Sequence, residues 1–308
     1  MIEFRDVHAS YDSEIPVLKG VDLTIADGEF VAFVGTNGAG KSTTMRLMNG
    51  LLKPDSGEVL IDGVPTTQLK TSELAHRVGF LFQNPDSQIC CGTVREELLF
   101  GFKALGELDS RAEERVDAVI EEFRFDSGDD PFLLNRGTRQ LLALASIVVL
   151  APPVVVLDEP TTGLDFRECV KVMDIIRRLH AGGTTVIMVC HDMEVVGDFA
   201  ERVIVMSDGR VLGQGPTFQV LRDRSLLEQA SLVPPQMVDI SLALPLMDGS
   251  LAETPVAFAN TLNDMQAAVE ALAGRIPVSA AYAEEAVPGA PGPQELQGAF
   301  PVPVEEVR

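Results

Sequence analysis

The sequence predicts an α/β fold, a mostly parallel sheet with helices on both faces. Three observations carry that expectation. The runs "VVVLD" (154–158), "TTVIMVC" (184–190) and "RVIVMS" (202–207) are short, apolar and β-branched, as strands buried on both faces must be. Charged segments of helical period, such as "RAEERVDAVIEEF", alternate with the apolar runs. A glycine loop, "GTNGAGKS" (35–42), stands between the apolar "EFVAFV" and the helix-like "KSTTMRLMNGL".

Taken in order, "IEFRDVHASY", "VLKGVDLTI" and "EFVAFV" read as strands, with turns at Asp12-Ser13 and Asp27-Gly28. The helix after the glycine loop stops near Gly50. "SGEVLIDG" is a short strand with a turn, "RVGFLF" a further strand, and residues 94–124 are helical. The uncharged stretch "LLALASIVVLAPPVVVL" (141–157) is split by Pro152 and Pro153 into pieces well short of the roughly 20 residues that span a bilayer. It reads as a buried helix followed by a buried strand. Composition changes near residue 230, where "PPQMVDISLALPL" and "TPVAFANTLNDMQAAVEALAG" suggest a small helical appendix. From Ile276 onward there are six prolines, three glycines and five glutamates against one arginine, a composition too poor in apolar bulk to order itself. The expected organisation is a main domain over 1–225 with a helical part at about 84–150, an appendix over 226–275, and an acidic Pro-rich tail over 276–308.

The 308 residues carry a formal net charge of −22, which argues against nucleic acid as a partner because phosphate backbones are bound by clustered Lys and Arg. Cys90, Cys91, Cys169 and Cys190 form no C-x-x-C pair. They suggest neither a disulfide framework nor a zinc site and are expected to be reduced thiols packed as small apolar residues. The opening "MIEFRDVHAS" has no basic and apolar segments of a secretory signal, so none is expected.

"GTNGAGKS" fits G-x-x-x-x-G-K-[ST] at every position. Its glycines let successive backbone N–H groups converge into an anion nest, to which the following helix adds its positive end. Asn37, Gly38, Ala39, Gly40, Lys41, Ser42 and Thr43 are therefore expected to cradle the phosphates of a nucleoside triphosphate. Lys41 supplies a point charge and Ser42 a hydroxyl for Mg²⁺. The second element is "VVVLDEP". Its strand delivers Asp158 to the edge where ligands sit in such folds, to hold the magnesium shell, while Glu159 is placed to take a proton from an attacking water.

The order of these elements resembles that of the ATP-binding cassette (ABC) ATPases over roughly residues 1–225. "FQNPDSQ" gives Gln83 at the Q-loop, "LNRGTRQ" stands where the family has its LSGGQ signature, "TTGLD" supplies a D-loop with Asp165, and "VCHD" puts His191 at the switch position. Tyr11 stands where the family stacks a ring on adenine. The resemblance implies the phosphate-loop ABC ATPase fold, with an antiparallel β subdomain and a helical subdomain, and ATP with Mg²⁺ as ligands. It implies Glu159, His191 and Gln83 as catalytic residues, and Ser42, Gln83 and Asp158 around the metal. Asn135, Gly137 and Asp165 face a nucleotide held by a second cassette, since two cassettes meet head to tail.

"GFLFQNPDSQICCGTVREELLFG" narrows the resemblance to the ATPases of energy-coupling factor (ECF) and cobalt or nickel importers. This implies an ATP-hydrolysing importer subunit for a vitamin or metal ion, at the cytoplasmic face of a membrane. A transmembrane coupling subunit is its direct partner and a substrate-binding membrane subunit an indirect one. The groove beside the Q-loop receives coupling helices, and Asp86 is a counter-charge for an arginine on them. The signature departs from the family: aligned on LSGGQ stand Leu134, Asn135, Arg136, Gly137 and Thr138. An intact catalytic half beside an altered signature favours a heterodimer with a second, different cassette. Two alternatives stay open: an ABC-type ATPase outside transport, and a weakly hydrolysing regulatory cassette.

Overall fold

The computed structural model describes residues 1–11 and 15–273. The expected turn at Asp12-Ser13 and the tail from 276 lie outside these residues. Strands β1 (Ile2–Ser10) and β2 (Pro16–Ile25) pair antiparallel and are followed by β3 (Phe30–Val34) and helix α1 (Lys41–Met48). Strands β4 (Ser56–Ile61) and β5 (Val64–Pro65) complete a four-stranded antiparallel sheet in the order β2-β1-β4-β5. Helix α2 (Thr71–Ala75) and strand β6 (Val78–Leu81) lead into helices α3 (Val94–Leu105), α4 (Ser110–Phe123) and α5 (Arg136–Val148).

The chain then winds through β7 (Val154–Asp158), α6 (Phe166–Ala181), β8 (Thr185–Val189), α7 (Met193–Phe199), β9 (Arg202–Ser207) and β10 (Arg210–Pro216). The second sheet has the order β10-β9-β3-β8-β7-β6 and is parallel except for the edge strand β10. Helices α8 (Thr217–Leu221), α9 (Arg224–Gln229), α10 (Gln236–Met247) and α11 (Leu262–Ala273) follow.

The continuous apolar runs are explained by covering on both faces. All five residues of β3 are buried, and so are all five of β7 and of β8. Side chains alternate across the sheet: Val31 and Phe33 pack with the antiparallel sheet and α1, whereas Phe30, Ala32 and Val34 pack with α5, α6 and α7. A third core joins α3, α4 and α5 through Val94, Leu98, Phe102, Val116 and Leu142. Each such side chain contributes about 1.5–3 kcal/mol by leaving water. The helix and strand expected on either side of Pro152-Pro153 are α5 and β7. Helix α6 was not foreseen from the sequence, although its apolar positions recur at helical spacing and Asp165 and Glu168 form a capping box at its start.

Two arginines tie on the last helices. Arg222, just past α8, donates to Ser241 Oγ (3.0 Å), Asn260 Oδ1 (3.1 Å) and the carbonyls of Ala257 and Ala259. Burial lowers its pKa from the ordinary value. Arg224 adds an ion pair to Asp239 at 2.7 Å. Arg222→Ala leaves those acceptors without a donor, at about 2 kcal/mol. Hydrogen exchange in 236–273 should accelerate about 30-fold while the amides of β3, β7 and β8 stay protected; equal acceleration in both regions would refute the assignment.

Candidate nucleotide site

Four strand ends meet at the C-terminal edge of the parallel sheet. β3 ends in the glycine loop, β6 runs to Gln83, β7 to Asp158 and Glu159, and β8 to Cys190 and His191. Their register puts them level: Phe33 pairs with Val189, Asp158 with Val189, and Leu81 with Leu157. Two glycines in the loop are there for conformation. Gly35 and Gly40 have φ of 146° and 97°, and a Cβ on Gly35 would collide with the Met206 carbonyl oxygen.

A cleft of about 540 Å³ lies over this edge. Tyr11, the loop from Asn37 to Thr43, Gln83, Glu159 and His191 all line it. Asp158 sits beneath, its Oδ1 accepting from Ser42 Oγ at 3.3 Å. Asn135, Gly137 and Asp165 do not line it. A larger and more apolar cavity, about 650 Å³ between α6 and α7, shares Glu159 and His191 but contains none of the glycine-loop amides. The 540 Å³ cleft, lined by the glycine loop and Lys41, is the one suited to an anion.

Charge is buried under the cleft. Lys41 is 6% exposed, and its Nζ donates to the carbonyls of Gly35 (2.7 Å) and Thr36 (2.9 Å). Burial lowers its pKa, opposed by Glu159 and Asp158. Asp158 is 7% exposed, and burial raises its pKa, with the Ser42 hydroxyl opposing. Burial thus disfavours both groups as ions, the condition that a polyanion and a cation together would relieve.

Glu159 is the hub. It has φ 52°, left-handed for a non-glycine residue, while its N–H still bonds the Val189 carbonyl at 3.1 Å. That turn swings the carboxylate under three partners: Gln83 Nε2 at 2.7 Å, Thr162 Oγ1 at 3.0 Å and His191 Nε2 at 2.8 Å. Sequence reasoning anticipated Gln83 and His191 but missed Thr162, whose only signal was its place between Glu159 and Asp165. It also missed Arg46. The Tyr11 hydroxyl accepts from Thr43 Oγ1 (3.3 Å) and from Arg46 Nη1 (3.1 Å), and the guanidinium of Arg46 lies 5.7 Å from the ring centre. Tyr11 remains 53% exposed.

The altered signature starts α5. Asn135 caps it, its Oδ1 accepting from Thr138 N at 2.9 Å. Gly137 is closely overlain by Glu168, where a Cβ would clash. Arg136 turns back onto its own chain, donating to the Thr162 carbonyl at 3.3 Å and lying beside Gly163. Asp86 pairs within the chain with Arg139 at 3.4 Å while about half of its side chain stays exposed. Between α3, α5 and β6 runs an apolar groove of about 350 Å³, lined among others by Leu51, Phe82, Gln88, Glu97, Phe100 and Leu150, with Leu51 and Phe100 exposed. Among the described residues no helix is long and apolar enough to cross a membrane.

Residues 18–162 match the ABC transporter family model. The energy-coupling factor transporter ATP-binding protein EcfA of Methanothermobacter thermautotrophicus is 39% identical over 78% of this chain and 78% of its own length. The chain belongs to the ABC transporter ATP-binding family. Among solved structures, the cassette resembles cbiO1 from Clostridium perfringens, part of the ABC transporter complex cbiONQ, with 29% identity, a TM-score of 0.65, and 82% of this chain and 98% of that one covered. It also resembles a dimeric ATP-binding cassette in a post-hydrolysis state bound to ADP and Pi, at 31% identity and a TM-score of 0.62, with 70% and 99% covered. Some curated relatives are longer: the chain spans 43% and 39% of the length of two that it matches. As a member of this family the cassette is an ATPase, with the phosphate-loop ABC ATPase fold.

Lys41 lines the cleft, and its amine is held by backbone carbonyls and not by the hydrophobic cores. Its lowered pKa means that the charged amine costs stability below that pKa, a penalty that fades as pH rises towards the ordinary lysine value. Lys41→Ala should therefore weaken ATP binding about 10- to 100-fold, the loss of a charge-assisted contact, without lowering the thermal midpoint of the empty chain. Calorimetric titration and a melting curve check both parts.

Proposed function

We propose that this cassette is the ATP-hydrolysing subunit of an ECF-type importer for a vitamin or metal ion, working at the cytoplasmic face of a membrane on a separate transmembrane coupling subunit. The convergence of Gln83, Thr162 and His191 on Glu159, beside the glycine loop, is the observation that carries the hydrolytic part. The carboxylate is held where a water at the γ-phosphate would give up its proton, Glu159 acting as general base and His191 as its positioner and phosphate contact. The desolvated Asp158 and the Ser42 hydroxyl, 3.3 Å apart, fit a hard cation, and Gln83 would complete their set. Mg²⁺ bound there would supply charge neutralisation at the β- and γ-phosphates. The amides of 37–43 would hold those phosphates, and Tyr11 would stack on the adenine, gaining roughly 1–3 kcal/mol by analogy with other bases on aromatic rings.

The likeness to EcfA and cbiO1, together with the groove lined by exposed Phe100 and Leu51, supports docking of a transmembrane partner. Asp86 would lie at the rim of that interface, its charge shared with Arg139. The reading divides the chain into a cassette over 1–225, with its helical part at about 84–150, and an appendix over 226–275. It reaches a substrate-binding membrane subunit only through the coupling subunit.

Asn135, Gly137 and Asp165 would face a nucleotide bound by a second cassette. The intact cluster around Glu159 beside the altered signature supports a different protein as that second cassette, so that the two sites are unequal. Glu159→Gln should keep ATP binding, trap the dimer closed and reduce turnover of the assembled transporter about 100-fold or more. Wild-type turnover by this variant, or absence of a co-purifying membrane subunit, would overturn the reading. Asn135→Ser with Arg136→Gly should change turnover less than about two-fold in the heterodimer; a several-fold rise in transport would instead make the altered signature the limiting element.

A further inference from the structure

We propose that Cys90, Cys91 and Glu97 form a binding site for one thiophilic divalent cation at the rim of the apolar groove. The two sulfurs, in the loop between the Q-loop and α3, and a carboxylate oxygen of Glu97, in the first turn of α3, all lie within 4.8 Å of one another. Ligands about 2.3 Å from a shared tetrahedral ion are about 3.8 Å apart, so the set closes with shifts of about 1 Å or less in each separation. The expectation that these thiols simply pack as apolar residues is corrected here: of the four cysteines only Cys190 is buried.

Glu97 is the anchor. It is 3% exposed, and its Oε2 accepts from the backbone N–H groups of both Cys90 and Cys91 at 2.9 Å. The carboxylate is thereby fixed to the two residues whose thiols it would join, before any ion arrives. Among the described residues no Lys or Arg forms an ion pair with it. Thr93 caps α3, its Oγ1 accepting from Glu96 N at 3.2 Å, which steadies the turn that carries Glu97.

The donor set selects the ion. Two sulfurs and one oxygen suit Zn²⁺ or Cd²⁺ and not Mg²⁺, which requires oxygens in octahedral array. Each thiol would lose its proton to solvent on binding, and water would fill the fourth position. A disulfide is the poorer use of this pair, because consecutive Cα atoms are about 3.8 Å apart and disulfides prefer about 4.4–6.8 Å. The cluster is separate from the nucleotide cleft, whose lining includes none of the three residues. Glu97 also lines the apolar groove, so a bound ion would tie the loop over 88–93 to the first turn of α3 along the groove wall.

The test is titration of the reduced, untagged full chain with Zn²⁺ by calorimetry and with Cd²⁺ by its thiolate charge-transfer absorption. One equivalent should bind saturably, and affinity should fall steeply between pH 7.5 and 6.5 as two protons are displaced. Cys90→Ser and Cys91→Ser should each weaken binding at least about 10-fold, while Cys169→Ser with Cys190→Ser leaves it unchanged. Glu97→Gln keeps an acceptor for the two amides and so should fold normally yet bind about 10-fold more weakly. Unchanged ATP binding certifies the fold of each variant. Absence of saturable binding, or binding that survives Cys90→Ser with Cys91→Ser, overturns the proposal.

Discussion

The parallel pairing of β6, β7, β8 and β3 is the constraint on which the site depends. Asp158 and Phe33 both pair with Val189, so the residues just beyond them emerge level at one sheet edge. Side chains on a strand alternate faces, so a slip of one residue in β7 would put Val155 and Leu157 on the wrong side and turn Asp158 away from Ser42. Two hydrophobic cores therefore hold the register that aims the polar groups. Packing energy spread over the buried residues of these strands sets positions that the hydrogen bonds around Glu159 could not set by themselves.

That rigidity permits an expensive arrangement of charge. Lys41 and Asp158 are both nearly buried, and burial shifts each towards its neutral form. Glu159 adds a left-handed backbone to the same region. The chain keeps these features because the sheet beneath over-determines them. They amount to preorganisation: groups that would be attracted to phosphate and cation are held without reorganising.

The signature region follows a different rule. Arg136 occupies a glycine position of the family pattern and spends its guanidinium on the Thr162 carbonyl of its own chain. Thr162 in turn donates to Glu159. The start of α5 is thus two contacts away from the carboxylate at the sheet edge, and a residue that looks like a defect in a motif becomes a tie between the helical part and the edge that carries Glu159. Asn135 keeps a helix-capping role that serine also performs, which explains why that substitution leaves the start of α5 intact.

Local chemistry alone determined much of this protein. The glycine loop required a strand before it and a helix after it, and "VVVLDEP" required a buried strand ending in two carboxylates, because glycine conformation and apolar runs act over a few residues. Tyr11, Gln83, Glu159 and His191 were legible because each stands at a fixed place in an ordered series of motifs. The partners of Glu159 were only half legible: Gln83 is 76 residues away from it, and Thr162 sits in a turn whose direction no periodicity encodes. The tertiary structure decided that Arg136 would lie on its own D-loop, that Asp86 would find Arg139, that Arg222 would bolt the last helices, and that Glu97 would gather Cys90 and Cys91. Each is a contact between elements of separate origin in the chain or the closure of an irregular loop. Such contacts depend on how the cores stack, and stacking is a property of the whole fold.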